Sequence, residues 1–85
     1  MTRNEIFAVV RGNMETIIDG AKGKDIHETN SMRDYDADSL QIVEVVSRSM
    51  KQLRIKVRRT ELSGARNLSD LLDLFERAAS QVTVQ

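Results

Sequence analysis

The sequence predicts an all-α fold: a small bundle of three main helices plus a short third helix before the last. Three observations predict it. Apolar residues recur at helical spacing in three separate stretches, a capping residue stands in front of each, and the 85 residues contain no proline to break them. At this length residues 1–85 form one domain, with no room for a second core. Hydrophobic residues at 40% and charged residues at 31% suit a globular chain rather than a disordered tail.

The first helix is predicted over about 2–19. Thr2-Arg3-Asn4-Glu5 is a capping-box pattern, and Ile6, Phe7, Val10, Met14, Ile17 and Ile18 follow at helical spacing. Gly12 weakens it slightly, and Asp19-Gly20 ends it. Residues 20–37 form a connection too long for a compact domain unless it is anchored or has a job; Ile26, Met32 and Tyr35 are its expected anchors. The second helix, about 38–53, opens on Asp38 as N-cap and gathers Ile42, Val45, Val46, Ser49 and Leu53 on one side. From Arg54 to Arg59, charges alternate with Ile55 and Val57. An edge strand there would have nothing to pair with, so a connection plugging both apolar residues into the core is expected. A single turn at about 59–63 points Leu62 inward and stops at Gly64. The last helix, about 67–80, is capped by Asn67 and carries Leu68, Leu71, Leu72 and Phe75, then Ala78 and Ala79; the chain after about Gln81 is expected to fray. The expected core is Phe7, Val10, Ile17, Ile42, Val46, Leu53, Val57, Leu62, Leu68, Leu71, Leu72 and Phe75.

Composition removes several functions. Without cysteine there is no disulfide framework, thiolate zinc site or cysteine nucleophile. The one histidine, His27, has no recognisable ligand set for a metal, and no nucleophile has a plausible adjacent base, so an enzyme is the weakest class. No apolar run approaches a membrane span and no signal-peptide pattern is present, so a cytoplasmic protein is expected. The net charge of zero hides a segregation. Residues 1–38 carry eight acids against five bases. Residues 39–66 carry Glu44 and Glu61 against Arg48, Lys51, Arg54, Lys56, Arg58, Arg59 and Arg66. A local basic surface of that kind steers acidic partners.

One stretch suggests chemistry: Tyr35-Asp36-Ala37-Asp38-Ser39-Leu40. Ser39 stands at the mouth of the second helix, where unpaired N–H groups and the positive end of the dipole favour an anion on its hydroxyl. Leu40 lies roughly 150° from the buried stripe and should face water beside it. Against this stands the plainer reading, that Asp38 and Ser39 only start a helix and Leu40 is one more exposed leucine.

Asp38-Ser39-Leu40, between a long loop and an apolar helix, resembles the attachment motif of acyl carrier proteins, and the likeness extends over nearly the whole chain. It implies 4′-phosphopantetheine joined to Ser39 through a phosphodiester, with Asp38 and Leu40 beside the cofactor and an acyl group held as a thioester on the arm. Two positions depart from the family pattern: Asp36 stands where glycine is frequent, and Arg58 where proline is. Glu44 is the only acid on the second helix, and Lys51 stands where fatty-acid carriers often have a carboxylate. That points away from a housekeeping fatty-acid role. The wording Ser31-Met32-Arg33-Asp34-Tyr35 and then Ile42 to Val57 resembles a narrower group, the free-standing donor carriers of bacterial polyketide β-branching cassettes. The resemblance implies an acetyl group delivered to an HMG-synthase-like enzyme. It also implies a phosphopantetheinyl transferase, an acyltransferase or decarboxylase that loads the arm, and a monomeric carrier without nucleic-acid or membrane partners. A partner swallowing the arm must cover the exposed side of the second helix: Leu40, Val43, Glu44, Ser47, Arg48 and Lys51, with Arg54 or Arg58 beyond. Two alternatives stay open: a carrier of another fatty-acid or peptide assembly system, and a small helical nucleic-acid- or protein-binding module using the basic run from Arg48 to Arg59. Zero net charge and few aromatics weigh against nucleic acid, and the run also reads as a plain solvated face.

Overall fold

In the computed structural model, residues 1–83 are described, with side chains described for residues 1–80. They form helices α1 (Arg3–Ile17), α2 (Ser39–Leu53), α3 (Arg59–Leu62) and α4 (Leu68–Thr83). Among the described residues there is no strand, and no helix is long and apolar enough to cross a membrane. Helix α4 continues three residues past its expected end at 80, so residues 82 and 83 are helical where the sequence predicts fraying after about Gln81; the rest of that expectation, residues 84 and 85, lies outside the described residues.

The starts of the helices follow from their caps. Thr2 accepts from the Glu5 N–H while the Glu5 carboxylate accepts from the Thr2 N–H, and the Asn67 side chain accepts from the Asp70 N–H at 2.9 Å. Helix α1 stops two residues before its expected end: Ile18 is extended, its N–H donating to the Met14 carbonyl, and Asp19–Ala21 winds into a short 3-10 turn.

Helix α1 packs against both α2 and α4. Its buried face is Ile6, Val10, Asn13 and Met14, an i, i+4, i+7, i+8 stripe. That corrects the expected core, because the stripe turns Phe7 and Ile17 to the flank. Phe7 is half-buried, with the Arg11 guanidinium 5.0 Å from its ring centre. Ile42, Val57 and Leu62 are likewise half-buried, while Ile18 and Ala21 join the core from outside the expected set, and Val45 and Ile26 are buried as the apolar side of α2 and the loop anchor predict. Ile55 is buried, so the stretch after α2 is an apolar plug as expected. The long connection is anchored by buried Ile26 and Met32 and by Tyr35, whose hydroxyl donates toward the Asp25 carbonyl and the Asn30 side-chain oxygen. Its backbone also closes the bundle. The carbonyls of Asn30 and Glu28 accept from the Leu68 and Ser69 N–H groups at 2.9 and 2.8 Å, satisfying two of the donors a helix start leaves open.

Candidate functional site

The chain approaches α2 through a second 3-10 turn, Met32–Tyr35. Ser31 and Asp34 box its start, and the Ser31 N–H holds the Asp34 carboxyl below the usual carboxylate range. Asp36 ends the turn in the left-handed region at φ 62°. This is the position where the resembled carriers often have glycine. Aspartate is one of the few side chains that enter that region readily, so the departure keeps the turn. Ala37 is then buried and fixes the chain against the core.

Asp38 is the N-cap, as expected. Its carboxylate accepts from the Gln41 N–H at 2.8 Å, and the Gln41 side-chain oxygen accepts from the Asp38 N–H. Gln41, which sequence reasoning passed over, also donates to the Ile17 carbonyl at 3.3 Å and so ties the start of α2 to the end of α1. The only earlier sign of it was its place three residues after Asp38, the capping-box spacing. Ser39 is the first residue of α2 and is exposed. Its hydroxyl is free of hydrogen bonds among the described residues, and the first turn of α2 contains no acid. A hydroxyl presented outward from an open helix start suits attachment of a singly charged phosphodiester, so the residues present fit the prosthetic group.

Leu40 is 80% exposed and Val43 54% exposed. Both stand with Glu44, Ser47 and Lys51 on the side of α2 opposite its buried Val45, Val46, Ser49 and Leu53. Arg48 flanks them and reaches Glu44 at 3.5 Å, one turn away. Arg54 ends α2 at φ 57°, and Arg58 lies apart as the N-cap of α3 with φ −67°, a value that proline shares. Absent from the sequence-based set are Arg33, Arg59 and Arg66. They line an open cleft of about 600 Å³ with Val43, Ser47 and Met50 of α2 and Leu62 of α3. Their cationic character was legible, but only the fold brings three distant segments to one opening.

The comparisons with known proteins agree with this layout. Residues 17–75 match the family model for the phosphopantetheine attachment site. The chain is 26% identical over 81 residues to the polyketide biosynthesis acyl-carrier-protein AcpK of Bacillus subtilis (strain 168), covering 94% of this chain and 99% of that protein. A chain in the crystal structure of the curacin biosynthetic pathway HMG synthase in complex with acetyl donor-ACP superposes with a TM-score of 0.79 at 26% identity, over 93% of this chain and 99% of that one.

Proposed function

The chain belongs to the family of proteins with a phosphopantetheine attachment site, and from that premise we propose that it is an acetyl donor for an HMG-synthase-like enzyme of polyketide β-branching, its arm anchored at Ser39. It is a carrier of 4′-phosphopantetheine and not a catalyst. The arm, when bound, supplies a thiol on which an acyl group is held as a thioester.

The chain's own residues do the positioning. Asp38 and Gln41 start α2 one residue before the reactive hydroxyl, so Ser39 leaves the bundle at a fixed point rather than on a loose loop. The open N–H groups of the first turn and the helix dipole favour the negative phosphodiester there. The turn ending at Asp36 and the buried Ala37 hold this start against the core. Leu40 and Val43 stand exposed beside the anchor and offer the partner an apolar patch, with Glu44, Ser47, Arg48 and Lys51 around it. The observation that carries the donor role is the likeness, over nearly the full length of both chains, to the structure of a synthase held with its acetyl donor. A phosphopantetheinyl transferase installs the arm, and an acyltransferase or decarboxylase supplies the acyl group.

Co-expression with a phosphopantetheinyl transferase should raise the intact mass by one prosthetic group, mapped to Ser39 by peptide analysis and absent from Ser39→Ala. The acetylated holo-protein should then lose its acetyl group to an HMG-synthase-like enzyme. Added mass on any other residue refutes the anchor, and an acetyl group retained in the presence of competent synthases refutes the donor role.

A further inference from the structure

We infer that the docking face has a second, basic pole centred on the cleft between α2 and α3, and that it fits a protein partner with an acidic surface beside the mouth of its active site. The inference rests on the carrier reading and adds the chemistry of the partner to it.

The first observation is which charges are neutralised inside the molecule. Glu28, Asp73 and Glu76 all converge on Arg3, and Glu44 pairs with Arg48. Arg33, Lys51, Arg54, Arg59 and Arg66 are exposed and, like Arg11, Lys24, Lys56, Arg58 and Arg77 elsewhere, in no ion pair among the described residues; what sets the five apart is where they stand. The acids near them in sequence do not cancel them: the Asp34 carboxylate, beside Arg33 in the chain, accepts from the Ser31 N–H and the Asn30 side-chain amide. Glu61 is exposed on α3 without an ion pair, and the Asp70 carboxylate accepts from the backbone N–H of Arg66, not its guanidinium.

The second observation is their placement. Arg33, Arg59 and Arg66 line the cleft, Lys51 extends the Val43–Ser47 stripe along the same side of α2, and Arg54 caps the helix just beyond it. Near Ser39 the sign is opposite, with Asp34, Asp36 and Asp38 preceding the anchor. Ser39 and Lys51 are twelve residues apart on one helix, or about 18 Å at ~1.5 Å per residue. The chain leading into Ser39 is therefore acidic, and the far end of α2 is basic. A partner surface of reversed order would seat the carrier in one rotation about the arm and speed encounter.

The third observation selects a protein over a nucleic acid. Val43, Met50 and Leu62 line the same cleft as the cations, the mixture of apolar and charged side chains found in protein interfaces. The aromatic rings that would stack on bases are not at the surface there: Phe75 is buried, and Phe7 and Tyr35 are half-buried against the core.

The test uses the full chain in its acetylated holo form. The double variant Lys51→Glu/Arg59→Glu is compared with wild type and with Lys24→Glu/Arg77→Glu, an equal charge change away from the cleft. Installation of the arm is read first by intact mass; a wild-type chain that gains none overturns the carrier reading, and the inference with it. Given a loaded wild type, the second-order rate of acetyl transfer to an HMG-synthase-like enzyme should fall roughly tenfold or more in the cleft variant at low salt. The loss should shrink as ionic strength rises from about 20 to 300 mM, with turnover at saturating carrier unchanged. The neutral pair Lys51→Gln/Arg59→Gln should lie between, and the control should match wild type. Unchanged transfer at low salt, or an equal loss in the control, overturns the inference. So does salt-steep binding of a short DNA duplex that the cleft variant abolishes.

Discussion

Gly20 decides the path of the loop toward Ser39. A Cβ at this position would lie 2.3 Å from the Tyr35 carbonyl oxygen and 3.1 Å from its carbonyl carbon, which no backbone tolerates without moving. Gly20→Ala should therefore push away the turn that leads to Asp36 and Ser39, costing about 1–3 kcal/mol as overpacking does. Urea denaturation should show the lower midpoint, and arm installation by a phosphopantetheinyl transferase should slow; an unchanged midpoint would contradict the close approach. In the sequence Gly20 reads only as the end of a helix, since nothing local couples it to a residue fifteen positions later. Asp36 was legible as a departure from a family pattern, but its left-handed backbone is a property of the folded turn. Asn13 was equally hidden. Its side-chain amide donates to Ser49 Oγ and to Gln52 Oε1, both at 2.9 Å, so a polar residue occupies the buried face of α1 because α2 supplies it with partners.

At the scale of the helices, the caps and apolar stripes of α2 and α4 were plain in the sequence because both signals are local. Asp38 and Asn67 stand where their helices begin, and the two faces of α2 separate cleanly around Val45 and Val46. The face of α1 was less legible. Phe7 and Ile6 are adjacent, and only packing against α2 and α4 settles which one enters the core. The loop carbonyls that close α4 were not legible at all, being backbone groups far away in the chain. Two leucines give the sharpest contrast between inside and outside. Leu71 is 4% exposed and Leu40 80%. Leu71→Ala should cost roughly 2–5 kcal/mol, as buried truncations do, visible as a lowered denaturation midpoint. Leu40→Ala should leave that midpoint within about 0.5 kcal/mol while weakening affinity for the acyl-transferring partner, the behaviour of an interface anchor. Equal effects of both variants on stability would contradict the assigned faces.

Across the whole molecule, charge is partitioned between structure and surface. Arg3 binds Glu28, Asp73 and Glu76 and also donates to Ser69, joining the start of α1, the long loop and α4 at one guanidinium. These partners hold the guanidinium charged far above neutrality, so the acid response of the fold comes from carboxylates. Glu5 is held below its ordinary value of 4.5 chiefly by the Thr2 N–H, and Asp34 below 3.8 chiefly by the Ser31 N–H. The sign follows from linkage: a carboxyl whose pKa is lowered in the folded state stabilises the fold fully above its ordinary value. It loses that contribution as pH falls through the lower, folded value. Thermal midpoints should accordingly be insensitive to these two groups between pH 7 and about 5.5, and fall as pH drops below 4.5 and then 3.8. The double variant Glu5→Gln/Asp34→Asn should start with a lower midpoint at pH 7, having lost two ionised caps. It should lose less on acidification, so that the two curves converge as pH falls through the lowered, folded values and the wild-type carboxyls themselves become neutral. Curves that stay parallel through the whole acid limb would assign the acid response to other groups and remove these two caps from the account of the fold's stability.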